Sequence, residues 1–398
     1  MIPVPSIETT GKWTTLSEEA TYLSAVAAAS PHVIVEQVGV TNIEDRPLRR
    51  ATITRAGGQA PTVVIFGGIH GGNDDGGEPA GREASLGLIS HLASSTTPHV
   101  VDLLNRVKFV IYPTCNPIGV DRGTADSMLT EHTALNIQND NVLLRMNESR
   151  VIAEAITQYD PLMIVDCHEY WDWGGFREGL ISLSPGSLPV GAGGIMTECY
   201  RHILNHLTTA GTAGTLYNQG TGPQYSSVMS MAGYRGVPGM LIESATNDRT
   251  RAGREKRYAD YMAVFDGMLA WLSTEADRLL SVREQARADF IAGVRDRTGV
   301  LDLRTGTVLD PVPMGYSDLS EWPAAFDTFG IEGSTGWVPL DQVAGYAVAR
   351  LLDEDSYNPP ATGSRYAPPR VGAGSARVAI SGVDAERAVV DGEEIDLG

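Results

Sequence analysis

Stretches of apolar residues alternate along the chain with segments in which apolar positions recur every three or four residues. The first pattern, bounded by turn-forming residues, predicts short strands, and the second predicts amphipathic helices. The predicted strands are Val33–Val40, Leu48–Arg55, Pro61–Gly68, Arg106–Pro113, Pro161–Cys167 and Gly239–Glu243. The predicted helices are Leu16–Ser30, Glu78–Ala93, Ser149–Tyr159, Glu198–Thr209 and Arg254–Arg278.

Strands that alternate with helices over residues 30–280 predict an α/β fold, with a mixed, mainly parallel twisted sheet between helices. Beyond residue 285 the pattern changes, and short strand-like pieces alternate with Pro and Gly, as in Thr298–Pro311 and Arg377–Leu397. We therefore expect a main domain over residues 1–285 and a smaller β-rich C-terminal part over residues 286–398.

The composition excludes some classes of partner. The chain has 49 acidic and 30 basic residues and a net charge of −19, so neither nucleic acid nor an anionic membrane is expected to bind. Three cysteines cannot form a complete set of intrachain disulfides. The N-terminus lacks a signal-peptide pattern, and no apolar run approaches the roughly 20 residues of a membrane span. We expect a soluble, cytoplasmic protein, with a trimmed secreted protein as the alternative.

Four residues that can bind a metal or a proton lie where predicted strands end or a helix begins. In open α/β sheets, ligands bind outside the carboxyl ends of the strands. A set of two His and one Glu is typical of catalytic zinc, and a further Glu can act as base on the bound water. The four residues are His70, Glu78, His168 and Glu243.

Several segments of the chain resemble the zinc carboxypeptidase family, the carboxypeptidase A-like metallopeptidases, in a bacterial-type form. The resemblance covers most of residues 15–275 and extends to a short segment near residue 340. The segments that carry it are Pro47-Leu48, Tyr112–Gly119, Val165–Glu169, Pro238–Glu243 and Trp337–Gln342.

The resemblance implies roles for individual residues. It makes residues 1–285 a catalytic domain that cleaves a peptide or amide bond with one Zn²⁺. His70, Glu78 and His168 would bind the metal, Glu243 would be the general base, and Arg122 would stabilise the oxyanion.

The chain departs from the family in the spacing of the first two ligands. The family has two residues between His and Glu, whereas seven separate His70 from Glu78. Glycines in this loop make a tight excursion feasible, and loop-closure entropy grows slowly with length. Asp74 or Asp75 is the alternative ligand. The two aspartates could also hold a second cation or belong to an acidic surface loop.

A second departure concerns substrate recognition. The family's Asn-Arg pair, which binds a terminal carboxylate, is Asn136-Ile137 here. Arg145 or Arg150 could replace the missing arginine, and Asn136, Arg145 and Tyr225 are the candidate substrate-binding residues. The substrate is expected to be a peptide or an acyl-amino acid. Two alternatives stay open, a desuccinylase- or aspartoacylase-like amidohydrolase and a non-catalytic binding module on the same fold.

Overall fold

The structure is a computed structural model. It describes residues 2–5, 12–140, 144–170, 180–184, 193–216, 228–229, 232, 237–245, 250–294, 300–302, 307–309, 378–380, 387–390 and 393–396. The helices are α1 (Leu16–Ala29), α2 (Pro79–Ser94), α3 (Pro98–Leu104), α4 (Pro117–Arg122), α5 (Asn147–Tyr159), α6 (Gly193–Thr209) and α7 (Arg251–Val294).

Most strands belong to one sheet. The strands are β1 (Val33–Val40), β2 (Pro47–Ile53), β3 (Thr62–Phe66), β4 (Lys108–Tyr112), β5 (Ser127–Thr130), β6 (Thr133–Leu135), β7 (Met163–Tyr170), β8 (Leu180–Ser184), β9 (Ala213–Leu216), β10 (Gly239–Ala245), β11 (Val300–Asp302), β12 (Thr307–Leu309), β13 (Val378–Ile380), β14 (Arg387–Val390) and β15 (Glu393–Asp396).

The main sheet has eight strands in the order β1-β2-β4-β3-β7-β10-β8-β9. Its four central strands, β4, β3, β7 and β10, run parallel, and antiparallel pairs flank them. Successive side chains of β3 enter opposite cores: Val63 and Ile65 pack with helices α1, α2, α6 and α7, and Val64 and Phe66 pack with α5. The predicted α/β fold with a mixed, mainly parallel sheet between helices is confirmed.

Helix α7 differs most from its prediction. It was expected over Arg254–Arg278, but it runs from Arg251 to Val294. No glycine or proline interrupts it between residues 278 and 292, and without these residues the chain offers no helix stop signal. The predicted domain boundary at residue 285 lies inside this helix, and the division into two domains stays a prediction. Strands β11–β15 form two small antiparallel sheets.

Some short elements are not predicted from the sequence, notably helix α3 and strands β8 and β9. Helix α3 has only seven residues, too few for a helical period to be distinctive. Strands β8 and β9 lack the continuous apolar run that predicted β3. In the part of the chain that the structure describes, no helix combines the length and the apolar character that crossing a membrane requires.

Candidate metal centre

Three buried side chains meet at the carboxyl edge of the central strands. One ligand-type atom from each of His70, Glu78 and His168 lies within 4.8 Å of the other two. The donor set is two imidazole nitrogens and a carboxylate oxygen, which is a set that catalytic zinc sites use. The residues therefore fit the predicted cofactor, a single zinc ion.

The register of the sheet explains why two of these residues are close. Strands β3 and β7 are parallel neighbours that pair Phe66 with Asp166. His70, four residues after β3, and His168, two residues further along β7, therefore reach the same edge. His168 was expected just after a strand that ends at Cys167, but β7 continues to Tyr170.

The seven-residue loop between His70 and Glu78 folds back on itself. Gly72 and Gly77 form an antiparallel bridge, and the Glu78 N–H donates to the Gly71 carbonyl at 3.2 Å. Gly72 has φ +109°, and a Cβ there would lie 2.4 Å from the Glu78 nitrogen, so no other residue fits. The two ends of the loop are therefore hydrogen-bonded to each other, which brings Glu78 beside His70 despite the long spacer.

The Glu78 carboxylate lies between both imidazoles. Its Oε1 lies 2.6 Å from His70 Nδ1, and its Oε2 lies 3.2 Å from His168 Nδ1. Burial acts to raise the pKa of Glu78, but the charge of His70 and the hydrogen bonds from both rings outweigh it. The pKa of Glu78 is therefore well below its usual range, and the carboxyl is ionised at neutral pH.

A second carboxylate holds the far side of the His168 ring. Asp166 Oδ1 lies 2.9 Å from His168 Nε2, and Gln138 Nε2 donates to Asp166 Oδ2 at 3.2 Å. Burial acts to lower the pKa of His168, but the charges and hydrogen bonds of Asp166 and Glu78 raise it well above its usual value. A carboxylate on the outer nitrogen orients a metal-binding imidazole.

Sequence reasoning gave neither Asp166 nor Gln138 a role. Asp166 could have been found, because residues two apart on a strand share a face. It lies two residues before His168 on β7. Gln138 carries no such signal, since it lies in a 3₁₀ turn well before β7 and its contact with Asp166 depends on the tertiary fold.

Glu243 lies beside the three-residue group. It is half-buried on β10 and pairs in register with His168 on β7. The hydroxyl of Tyr261, from α7, donates to the His168 carbonyl and lies 3.4 Å from that of Ile242. Helix α7 thus contacts both strands at the level of the site.

The other predicted site residues are not in this group. Arg122 ends α4 and pairs with Glu44 at 2.6 Å on an exposed surface, a contact that gives no support to its predicted oxyanion role. The Asn136 side chain caps the 3₁₀ turn by accepting from the Gln138 N–H. The backbone carbonyl of Arg145 accepts from the Asn42 amide. These roles stay predictions.

Tyr225, the remaining predicted substrate-binding residue, lies outside the described residues. The two aspartates of the loop do lie within them. Asp74 pairs with Arg254 of α7 at 2.8 Å, and the Asp75 N–H binds the Asn73 side chain. Of the described residues, the metal-competent group contains neither aspartate, so the observed contacts favour Glu78.

Comparison with known proteins agrees with this geometry. The family model described as "Zinc carboxypeptidase" matches residues 20–168. The predicted family resemblance is confirmed. The match includes the strands and loops that carry His70, Glu78 and His168, and it ends before Glu243.

Curated relatives in fungi match over shorter stretches. "Probable carboxypeptidase 2" of Arthroderma benhamiae is 30% identical over 110 residues, which is 27% of this chain and 19% of that protein. "Carboxypeptidase 2" of Trichophyton tonsurans is 26% identical over 123 residues, 30% of this chain and 21% of that protein. The matches thus span about a fifth of the length of these relatives.

Solved structures share the fold. A metallo-carboxypeptidase from Burkholderia cenocepacia is 18% identical, with a TM-score of 0.50 over 64% of this chain and 69% of that one. The carboxypeptidase A from Helicoverpa armigera is 15% identical, with a TM-score of 0.52 over 67% of this chain and 75% of that one. At these identities the likeness concerns the fold alone.

Proposed function

We propose that this chain is a zinc-dependent hydrolase of the carboxypeptidase type that cleaves a peptide or amide bond. The observation that carries the proposal is the buried group of His70, Glu78 and His168, with Glu243 paired to His168 on the neighbouring strand. We assign the activity to residues 1–285 and leave the role of residues 286–398 open.

The three-residue group would hold the metal. A zinc ion there would lower the pKa of a water molecule and polarise the scissile carbonyl. Glu78 would bind the metal at neutral pH without first losing a proton, because the neighbouring imidazoles keep its carboxylate ionised. Asp166 fixes the ring of His168 and favours a proton on Nε2. Zinc would displace the proton of Nδ1, the nitrogen that faces Glu78.

Glu243 is proposed as the general base. Its half-buried carboxylate lies on the strand next to His168. It would take a proton from the attacking water and pass it to the leaving nitrogen, so that each bond cleaved consumes one water. Arg122 is kept as the proposed hydrogen-bond donor to the oxyanion. In that role its guanidinium would have to leave Glu44 and bind the substrate instead.

A second candidate function has one observation in its favour. Ile137, which replaces the family's carboxylate-binding arginine, is fully buried in the core with α5. A buried isoleucine cannot bind a terminal carboxylate. This favours an amidohydrolase or deacylase acting on a small acyl-amino acid over an exopeptidase.

The test compares substrates on one protein preparation. Peptides with a free C-terminus, the same peptides amidated, and N-acyl-amino acids are incubated with the zinc-loaded chain and with Glu243→Gln. Loss of the base should lower kcat by about 100- to 10,000-fold with zinc content unchanged. Glu154→Gln, at an exposed carboxylate on α5, is the matched control and should keep full activity.

The outcomes separate the candidates. Cleavage of free but not amidated peptides supports a carboxypeptidase, and cleavage of acyl-amino acids alone supports the deacylase. A zinc-bound chain that is inactive on every substrate would support a non-catalytic binding module. A chain that binds no zinc would refute all of the catalytic proposals.

A further inference from the structure

One face of helix α7 contacts the loop and the strand that carry the candidate metal ligands. Arg254, Arg257 and Tyr261 are separated by three and four residues, so they lie on the same side of the helix. Arg254 binds Asp74, in the loop between the first two candidate ligands. Tyr261 donates to the carbonyl of His168, the third. Arg257 lies between these contacts.

The residue that Arg257 contacts is Glu169, which follows His168 on β7. The backbone N–H of Glu169 donates to Glu78 Oε2 at 2.9 Å. Its side-chain Oε2 accepts from the N–H of Ala80, in the first turn of α2, at 3.0 Å. Glu169 therefore binds the ligand carboxylate through its backbone, and through its side chain it holds the helix turn that begins right after Glu78.

Arg257 compensates the charge of Glu169. Its Nε lies 3.0 Å from Glu169 Oε1, and both side chains are buried. The guanidinium also lies over the ring of Trp13, with Cζ 5.6 Å from the ring centre. Glu169 and Glu78 carry two buried carboxylates, and the backbone N–H of Glu169 binds the carboxylate of Glu78. Two buried carboxylates this close need a nearby cation to remain in place. Arg257 supplies that cation.

We propose that Arg257 is a positioning residue for the metal centre, and that it acts through Glu169 to hold Glu78 at the ligand position. The inference rests on the proposed function in that it takes His70, Glu78 and His168 as zinc ligands. It adds a role for α7, a helix whose first turn follows the third ligand by more than 80 residues in the chain.

A purely structural ion pair would behave differently from a positioning pair. When a buried ion pair is replaced by two apolar residues of similar size, stability is often kept, whereas removal of one partner leaves a buried charge and destabilises the fold. The double variant Arg257→Met/Glu169→Met therefore separates the two roles. It removes the buried charges together, but it also removes the acceptor for the Ala80 N–H.

The experiment measures zinc affinity and stability on the full chain. Zinc is removed, and its dissociation constant is measured by competition with a chromophoric chelator for the wild type, Arg257→Met, Glu169→Met, the double variant and Arg257→Lys. Urea unfolding midpoints of the zinc-free proteins are recorded in parallel. Arg278→Met is the matched control, since Arg278 lies on the same helix and pairs with Glu198 on the surface.

Both single methionine variants should bind zinc about 10- to 100-fold more weakly, the range that loss of an outer-shell partner produces. The double variant should stay at least about 10-fold weaker than the wild type while its midpoint returns toward the wild-type value. Arg257→Lys keeps the charge and should lose less than Arg257→Met, and Arg278→Met should bind zinc like the wild type.

Two results would overturn the inference and leave the proposed function standing. One is an Arg257→Met affinity within about twofold of the wild type, where a 10-fold loss is the least that a positioning role predicts. The other is a double variant whose affinity recovers together with its midpoint. If the wild type itself binds no zinc, the proposed function fails and the inference fails with it.

Discussion

The substitution Gly81→Ala tests how closely the second ligand's helix must approach the third ligand's strand. Gly81 lies in the first turn of α2, three residues after Glu78, and faces Cys167, the residue before His168. A Cβ at Gly81 would lie 2.8 Å from Cys167 Cβ and 2.8 Å from its carbonyl oxygen. The contact with the carbonyl cannot be relieved by a side-chain rotation, because that atom belongs to β7.

The size of the effect follows from these distances. An ordinary contact needs 3.4 Å, so α2 has to retreat from β7 by about 0.6 Å, whereas ligand distances in a metal site hold within about 0.2 Å. The overpacking should cost about 1–3 kcal/mol, and the better helix propensity of alanine offsets about 1 kcal/mol of it. We expect a net loss of stability up to about 2 kcal/mol, and zinc binding weakened at least 10-fold.

The assay combines urea unfolding of the zinc-free chain with a zinc competition titration. Gly267→Ala is the control, because Gly267 also lies in a helix, α7, but its Cβ would meet His206 Cβ at a milder 3.2 Å. A Gly81→Ala protein that is more stable than the wild type and binds zinc with unchanged affinity would refute this account of the helix–strand approach.

Two further predictions concern other parts of the fold. Gly72→Ala should abolish zinc binding, measured as zinc per chain, because its Cβ would collide with the Glu78 nitrogen, whereas Gly58→Ala meets nothing within 4 Å and should bind normally. Burial raises the pKa of Asp140 from 3.8 to about 6 despite a hydrogen bond from the Met146 N–H. The folded chain therefore binds this proton more tightly than the unfolded chain, and the stability that it contributes below pH 3.8 is lost as pH rises through 6. Between pH 3.8 and 6 this loss of folding stability is on the order of 3 kcal/mol. Asp140→Asn should remove it, so that the free energy of unfolding varies less with pH over this range. An unchanged pH dependence in the variant would contradict the raised pKa of Asp140.

The central strands could be predicted because they are buried on both faces. Parallel strands covered by helices read as near-continuous apolar runs, and β3, β7 and β10 all have this pattern. Strand β8 is as short as β3, but serines interrupt its apolar residues, so it lacks the continuous run that predicted β3. The extension of α7 was missed although the absence of a stop signal before Gly293 was visible in the sequence.

Within the site, the residues on strand ends could be predicted and their supports could not. His70 and His168 are found because each follows or ends an apolar run, and parallel strands place such residues at one edge. Glu169 and Arg257 are 88 positions apart and meet only because α7 contacts the end of β7. Neither has a local pattern that distinguishes it from an ordinary surface charge, so their pairing needs the structure.

The long spacer between the first two ligands can also be understood in these terms. The hydrogen bond between Gly71 and Glu78 and the bridge between Gly72 and Gly77 set the distance from His70, so the residues at the tip of the loop, 73–76, do not have to place the ligand. These residues can make other contacts, and one of them, Asp74, pairs with Arg254 on α7. The insertion therefore leaves the ligand pair in place and adds a second attachment between the metal centre and the helix that supports it.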